Sequence, residues 1–202
     1  MVYSTEIRTN YTAPENIGKG GNMKLIPAHD PAQLNAVETL YLSAFPAAER
    51  KPFSLLVEKQ REGSVEILSL EEDGAFAGLA ILVRLDDLVL LDYFAVSPGQ
   101  RGRGRGGEAL KLLKEHCRDS RFFLEIEDVG VPSENADQRR RRRAFYLRHG
   151  MTPLPFRVCL FGVQMELLSF GTPLTFDEYF RLYQEIFGNP IAANVLPVNG
   201  NP

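Results

Sequence analysis

Two features of this 202-residue chain are equipped for chemistry: a turn dense in glycine and arginine, and a pair of alternating acidic residues. The turn runs Val96-Ser-Pro-Gly-Gln-Arg-Gly-Arg-Gly-Arg-Gly-Gly-Glu-Ala-Leu110. Glycine at that density costs chain entropy on folding, so the backbone must have something to approach closely. A strand, a glycine-rich turn and the start of a helix together gather unpaired N–H donors at the positive end of a helix dipole. That arrangement suits a phosphate group, and Arg101, Arg103 and Arg105 add positive charge. The acidic pair lies in Arg121 to Glu127. Strand alternation puts Leu124 and Ile126 on one face and Glu125 and Glu127 on the other. Two carboxyls on one face can accept a proton, directly or through water, and attract a cationic amine. A solvent-exposed strand face is the plainer reading of the same pattern.

The phosphate reading divides by context. A Walker loop needs a lysine and a hydroxyl after its last glycine, whereas Glu108 follows Gly107 here. Gly102-x-Gly104-x-x-Gly107, with Glu125 and Glu127 about 20 residues on, spells a dinucleotide fingerprint. That fingerprint should open a parallel βαβ series, and the preceding strands look antiparallel. An arginine-glycine segment that binds RNA would be longer, repeated and free of flanking elements. A nucleotide-linked oxidoreductase is thus the weaker alternative.

The elements that position these groups can be read from periodicity. Met23 to Ile26 is a short strand candidate. Asp30-Pro31 caps a helix carrying Leu34, Val37, Tyr41 and Ala44 at helical spacing. The loop Phe45 to Pro52 leads to a second helix ending at Gly63. Strands follow over Val65–Glu71, Ala75–Arg84 and Leu88–Val96, joined by the turns Glu72-Asp73-Gly74 and Asp86-Asp87. Short turns predict an antiparallel meander, and the nearly all-apolar LVLLDYFAV belongs in the sheet centre. After the glycine-rich turn, Ala109, Leu110, Leu112, Leu113 and Cys117 mark the buried face of a helix. The strand Arg121–Glu127 then returns parallel to Leu88–Val96. A polar loop precedes a helix from about Gln138 to Arg148, two strands near Arg157–Phe161 and Val163–Phe170, and a last helix opened by the capping box Thr175 to Glu178 and closed at Gly188.

This is a single domain over 23–188 with expected flexible tails at 1–22 and 189–202. The fold class is α/β (α+β), a mixed sheet with helices on both faces. A net charge of −3 argues against a general nucleic-acid binder. Three scattered histidines and two cysteines, Cys117 and Cys159, give no metal-ligand cluster and read as core thiols rather than a disulfide. No apolar run approaches the roughly 20 residues of a membrane span, and the first residues lack a signal-peptide stretch. A cytoplasmic protein with no metal, no nucleic acid and no membrane partner is expected; a homodimer is left open.

The signature turn resembles the acetyl-CoA motif of the GNAT superfamily, the GCN5-related N-acetyltransferases. Arg101-x-x-Gly104-x-Gly106 matches its (Gln/Arg)-x-x-Gly-x-(Gly/Ala) pattern, and Phe145-Tyr146-Leu-Arg-His-Gly150 matches its later helix end. The order of elements over residues 23 to 170 matches as well, and the helix 175–187 extends beyond it. The resemblance implies that the strand before the signature splays from its parallel neighbour to admit acetyl-CoA. It implies that the backbone of Phe94, Ala95 and Val96 pairs with the pantetheine arm, and that the N–H groups of Arg101, Gly102, Arg103, Gly104, Arg105, Gly106 and Gly107 hold the pyrophosphate.

The resemblance also implies direct acetyl transfer to a small-molecule or peptide amine in one ternary complex, so positioning carries much of the rate. Tyr146 is then the acid for the leaving thiolate, and Glu125, with Glu127 beside it, the base. A strand N–H, of Phe94 or Val96, would stabilise the oxyanion. The loop at Glu49, together with Tyr93, would line the acceptor site. Many relatives place a coenzyme-contacting asparagine a few residues after the strand glutamate; here Asn135 follows Glu125 by ten residues, in a longer loop. A binding module of the same fold without catalysis is the other reading. Arg139 to Arg143 sweep a whole helix circumference at about 100° per residue, so some must face protein or ligand.

Overall fold

A computed structural model describes residues 22–198. The expected flexible segment 1–22 lies outside the described residues except for Asn22. Eight strands form one sheet in the order β1-β2-β3-β4-β5-β7-β6-β8. The strands are β1 (Met23–Pro27), β2 (Val65–Glu72), β3 (Ala75–Leu85), β4 (Leu88–Val96), β5 (Arg121–Glu127), β6 (Thr152–Leu160), β7 (Val163–Ser169) and β8 (Val195–Pro197). Helices are α1 (Pro31–Ala44), α2 (Phe53–Arg61), α3 (Arg105–His116), α4 (Ala136–Arg148), α5 (Phe176–Phe187) and the short α6 (Asn189–Ala192). All pairings are antiparallel except β4 with β5. One parallel pair is too few for a dinucleotide-binding βαβ series, which removes that reading of the glycine spacing.

The sheet separates two cores. α1, α2 and α5 cover one face with Val37, Tyr41, Leu56, Leu182 and Tyr183. α3 and α4 cover the other with Leu110, Leu113 and Tyr146. β3 shows why its sequence is apolar as far as Val83: Leu79, Ile81 and Val83 enter the first core, Ala80 and Leu82 the second. Local chemistry fixes the helix starts. The Asp30 side chain accepts from the N–H groups of Ala32 and Gln33 at 2.9 Å, and Pro31 supplies a pre-set φ. Thr175 and Glu178 form the reciprocal capping box of α5. Tyr179, Leu182, Tyr183 and Ile186 then bury one face at i, i+3, i+4 and i+7.

The C-terminal segment corrects the expected tail. Pro190 lies in the first turn of α6, and β8 pairs with β6 through Val158↔Pro197, Cys159↔Leu196 and Leu160↔Val195. The segment carries no periodicity of its own, and its order comes from tertiary pairing. β6 also begins earlier than the pattern indicates, at Thr152, across a register irregularity between Pro153 and Arg157. Cys117 is buried and Cys159 half-buried, both as free thiols. Among the described residues, no helix is long and apolar enough to cross a membrane.

Candidate active site

The parallel pair is short. β4 and β5 are in register from Leu88↔Arg121 to Leu91↔Leu124 and no further. β4 stays bound to β3 as far as Gly78↔Val96, and β5 stays bound to β7 as far as Glu127↔Met165. The strands therefore splay beyond Leu91 and Leu124, leaving the β5-facing edge of Phe94, Ala95 and Val96 without a strand partner. The splay starts at a bulge. Ile81 pairs with Tyr93 and Leu82 with Leu91, so Asp92 is the extra residue. Bulges bend a strand and re-aim its side chains. Here Asp92 and Tyr93, although adjacent, line the same cavity.

At the far end of β4 the glycine-rich turn is left-handed at Gly102 and Gly104, both with φ of 78°. Gly104 caps α3 without a side-chain bond. Gly107 and Glu108 N–H already bond to the Gly104 carbonyl, at 3.0 and 3.2 Å, which removes Gly107 from the expected donor set. The N–H groups of residues 102–106 have no acceptor among the described residues, so the donor cradle remains. The arginines divide. Arg105 pairs with Glu72 and Glu108 and Arg101 Nε donates to the Val96 carbonyl at 3.1 Å, whereas Arg103 is exposed. Gly107 has a packing reason of its own: a Cβ there would lie 2.4 Å from His149 Nε2.

A cavity of about 430 Å³ opens at the splay on the α1 and α5 side. Glu125 lines it, and its carboxyl is pushed up to about 7 by burial and by the nearby Asp92, against Lys51 and a hydrogen bond from Tyr183. That bond runs from the Tyr183 hydroxyl to Glu125 Oε1 at 2.9 Å. Lys51 Nζ meets Asp92 at 2.8 Å with both side chains over nine-tenths buried, and lies 5.2 Å from the Tyr183 ring centroid. Asp92, Lys51 and Tyr183 were not identified from sequence. The aspartate offered a signal, a charge inside LVLLDYFAV.

The other expected residues fall as follows. Glu127 also lines the cavity, but its oxygens are taken by Arg139 at 2.7 Å and Arg142 at 2.9 Å. It acts as a counter-ion for the arginine helix, and this corrects its reading as a second free base. Asn135 donates to the same carboxylate at 3.3 Å, so its amide is turned inward to Glu127. Arg143 pairs with the buried Glu166 at 2.6 Å; Arg140 bonds Asp137 and Arg141 is exposed. The arginine run is thus mainly an ion-paired face. The Tyr93 hydroxyl accepts from Lys51 N–H and donates to the Glu49 carbonyl, both at 3.0 Å. It holds the 45–52 loop, which leaves its ring to line the cavity. Glu49 is exposed at the rim, its carboxyl raised by burial and by Glu127, against Arg142 and Arg139.

Tyr146 sits on the opposite sheet face from Glu125, packed among Leu91, Leu110, Leu124 and Ile126. Burial pushes its phenol up to about 12, and its hydroxyl has no partner among the described residues. A buried carboxyl on one face and a buried phenol on the other therefore flank the splay.

Residues 34–151 match the family model described as Acetyltransferase (GNAT) family. The chain belongs to the GNAT acetyltransferase family. Its fold is shared with a chain assigned to that family from Bacteroides thetaiotaomicron, at a TM-score of 0.68 and 23% identity over 83% of this chain and 99% of that one. The aminoglycoside 6'-N-acetyltransferase solved with coenzyme A superposes at 0.59 and 11% identity, over 76% and 99%. The ribosomal-protein-S18-alanine N-acetyltransferase of Escherichia coli does so at 0.55 and 19%, over 76% and 96%. No curated protein matches the chain in sequence.

Proposed function

We propose that this chain transfers the acetyl group of acetyl-CoA to a primary amine. One observation carries the reading: the splay of β4 from β5 runs from an unpaired N–H cradle at residues 102–106 to a cavity floored by Glu125. The left-handed glycines let backbone donors reach a diphosphate without an intervening Cβ. The open edge of β4 beyond Leu91 offers an extended thioester arm the hydrogen bonds that β5 no longer takes, apart from the Val96 carbonyl, which Arg101 Nε occupies. The residues present therefore fit the coenzyme.

The chemistry is a single displacement. The amine nitrogen bonds to the thioester carbonyl carbon, the carbon–sulfur bond breaks, and the amine proton must leave. An alkylamine holds that proton with a pKa near ~10. Glu125, near neutrality, is the group on the acceptor side able to take it. Tyr146, neutral and unpartnered, supplies a proton to the departing sulfur. A strand N–H of Phe94 or Val96 stabilises charge on the thioester oxygen.

Thermal unfolding with acetyl-CoA, NADH and ATP in parallel tests the ligand. A ligand at about 100 times its Kd adds roughly 2.7 kcal/mol, so acetyl-CoA alone should raise the Tm. A shift with NADH instead, or none, defeats the reading. Tyr146→Phe should then lower turnover and leave acetyl-CoA affinity nearly intact; lost binding would remove Tyr146 as the acid.

A further inference from the structure

The hairpin between β6 and β7 breaks a rule that the other hairpins obey. Among the described residues, three that are not glycine have positive φ: Asp73 at 51°, Asp86 at 52° and Phe161 at 49°. The first two sit in the turns between β2 and β3 and between β3 and β4. Aspartate tolerates the left-handed region because its short side chain bonds locally. A bulky aromatic does not, and such an outlier is a pointer to function. Phe161 is also 49% exposed, one of three large apolar side chains so exposed among the described residues. Its ring lines the mouth of the Glu125 cavity.

The hairpin is held in that position. Phe161 N–H donates to the Asn194 carbonyl at 3.0 Å, tying the turn to the segment between α6 and β8. Ile191 of α6, Leu160, Val163 and Phe45 continue the apolar wall. The cavity thus sets this hydrocarbon wall beside the buried carboxyl of Glu125, with Glu49 exposed at the rim.

The charge on the lining is small. Four carboxylates, at 49, 92, 125 and 127, face three cations, at 50, 51 and 142. Asp92 is matched by Lys51, and Glu127 by Arg142 with Arg139 behind it. Glu125 and Glu49 remain without an ion-pair partner among the described residues, the first at the floor and the second at the rim.

We infer that Phe161 selects the acceptor, and that the acceptor is an amine carried on an apolar alkyl or aryl body. The inference rests on the acetyl-transfer reading and deepens it. The amine reaches Glu125 while its hydrocarbon body covers the Phe161 ring, an exposed apolar surface that gains by burial.

The test compares kcat/KM for 2-phenylethylamine, hexylamine, spermidine and kanamycin, with thiol release as readout, in the full chain and in Phe161→Asn. Asparagine accepts the left-handed backbone, so this variant should unfold at the same or a higher temperature, and a change in selectivity is not misfolding. The two apolar amines should exceed spermidine and kanamycin by about tenfold or more, and F161N should bring that ratio toward one. Preference for spermidine or kanamycin, a ratio unmoved by F161N, or acetylation of none of the four overturns the inference. Calorimetry with acetyl-CoA separates the two levels. Coenzyme binding together with any of those results defeats the acceptor assignment alone, and absent binding defeats the acetyl-transfer reading beneath it.

Discussion

The Tyr183 hydroxyl donates to Glu125 Oε1 at 2.9 Å. Glu125 lies inside the family match at 34–151, and Tyr183 lies outside it, on α5. The C-terminal helix therefore stands behind the cavity and holds Glu125 from there, rather than being an appendage. Tyr179, one turn earlier, is fully buried with its hydroxyl facing Glu125 and Tyr183, so α5 carries a second polar group into a region where an unpaired one would be costly.

Removing the Tyr183 hydroxyl should change the pH dependence of acetyl transfer. A donor to a carboxylate favours its charged form, so Tyr183→Phe raises the Glu125 carboxyl further. The acidic limb of the kcat/KM profile should move to higher pH, with a stability loss of about 1 kcal/mol. An unmoved limb would make the bond structural only.

Glu125→Gln should lower turnover about a hundredfold and remove that limb. It also makes a stability prediction of definite sign. The folded carboxyl holds its proton more tightly than the unfolded one, so its contribution is fully present at low pH. That contribution is lost as pH rises from the ordinary carboxylate range through about 7. The stability of wild type relative to E125Q, from urea melts, should fall across this window and be level above it.

The Lys51–Asp92 pair is the most deeply placed ion pair at the cavity. Lys51→Met strands a buried aspartate and should cost about 3–5 kcal/mol. Lys51→Met with Asp92→Asn should recover a large part of that. Chemical denaturation of the four proteins in the cycle gives the coupling directly, and additive losses would show that the two charges do not depend on each other.

Gly107→Ala should leave stability within about 1 kcal/mol of wild type, because the helix gain of alanine offsets displacement of the exposed His149 ring that the new methyl meets. That ring is held by Nδ1 against the Phe145 carbonyl at 2.8 Å. In a His149→Ala background the same substitution should raise the Tm; a loss there would place the strain in the α3 backbone.

The parts legible in the sequence were those that depend on neighbours along the chain. Asp30-Pro31 and Thr175 to Glu178 announce their helices because a cap is a local bond. Alternation in RFFLEIE placed Leu124 and Ile126 in one core and Glu125 at the cavity. The glycine turn declared its donors, since left-handed positions favour one residue type. The remainder depends on pairing at long range. Lys51 finds Asp92 across 41 positions and Tyr183 finds Glu125 across 58, and no local pattern encodes either meeting. Residues 195–197 form a strand only because β6 is there to receive them. Glu125 and Glu127 looked equivalent on their strand until the arginines of α4 claimed one of them.

The extra residue at Asp92 works like a change of reading frame in the strand. Upstream of it, Leu88 and Leu90 face the α1 and α5 side while Val89 and Leu91 face α3 and α4. Downstream, the odd-numbered Tyr93 and Ala95 have taken over the α1 and α5 side. Deleting that one residue would leave the two halves of β4 individually intact and in phase. Leu91, Tyr93, Phe94 and Ala95 would then alternate without interruption, so Tyr93 would keep the α1 and α5 side and Phe94 the α3 and α4 side, and the loss would be the Asp92 carboxylate and the bend of the bulge. The bulge therefore lets β4 add a carboxylate to the cavity without taking a position from either core.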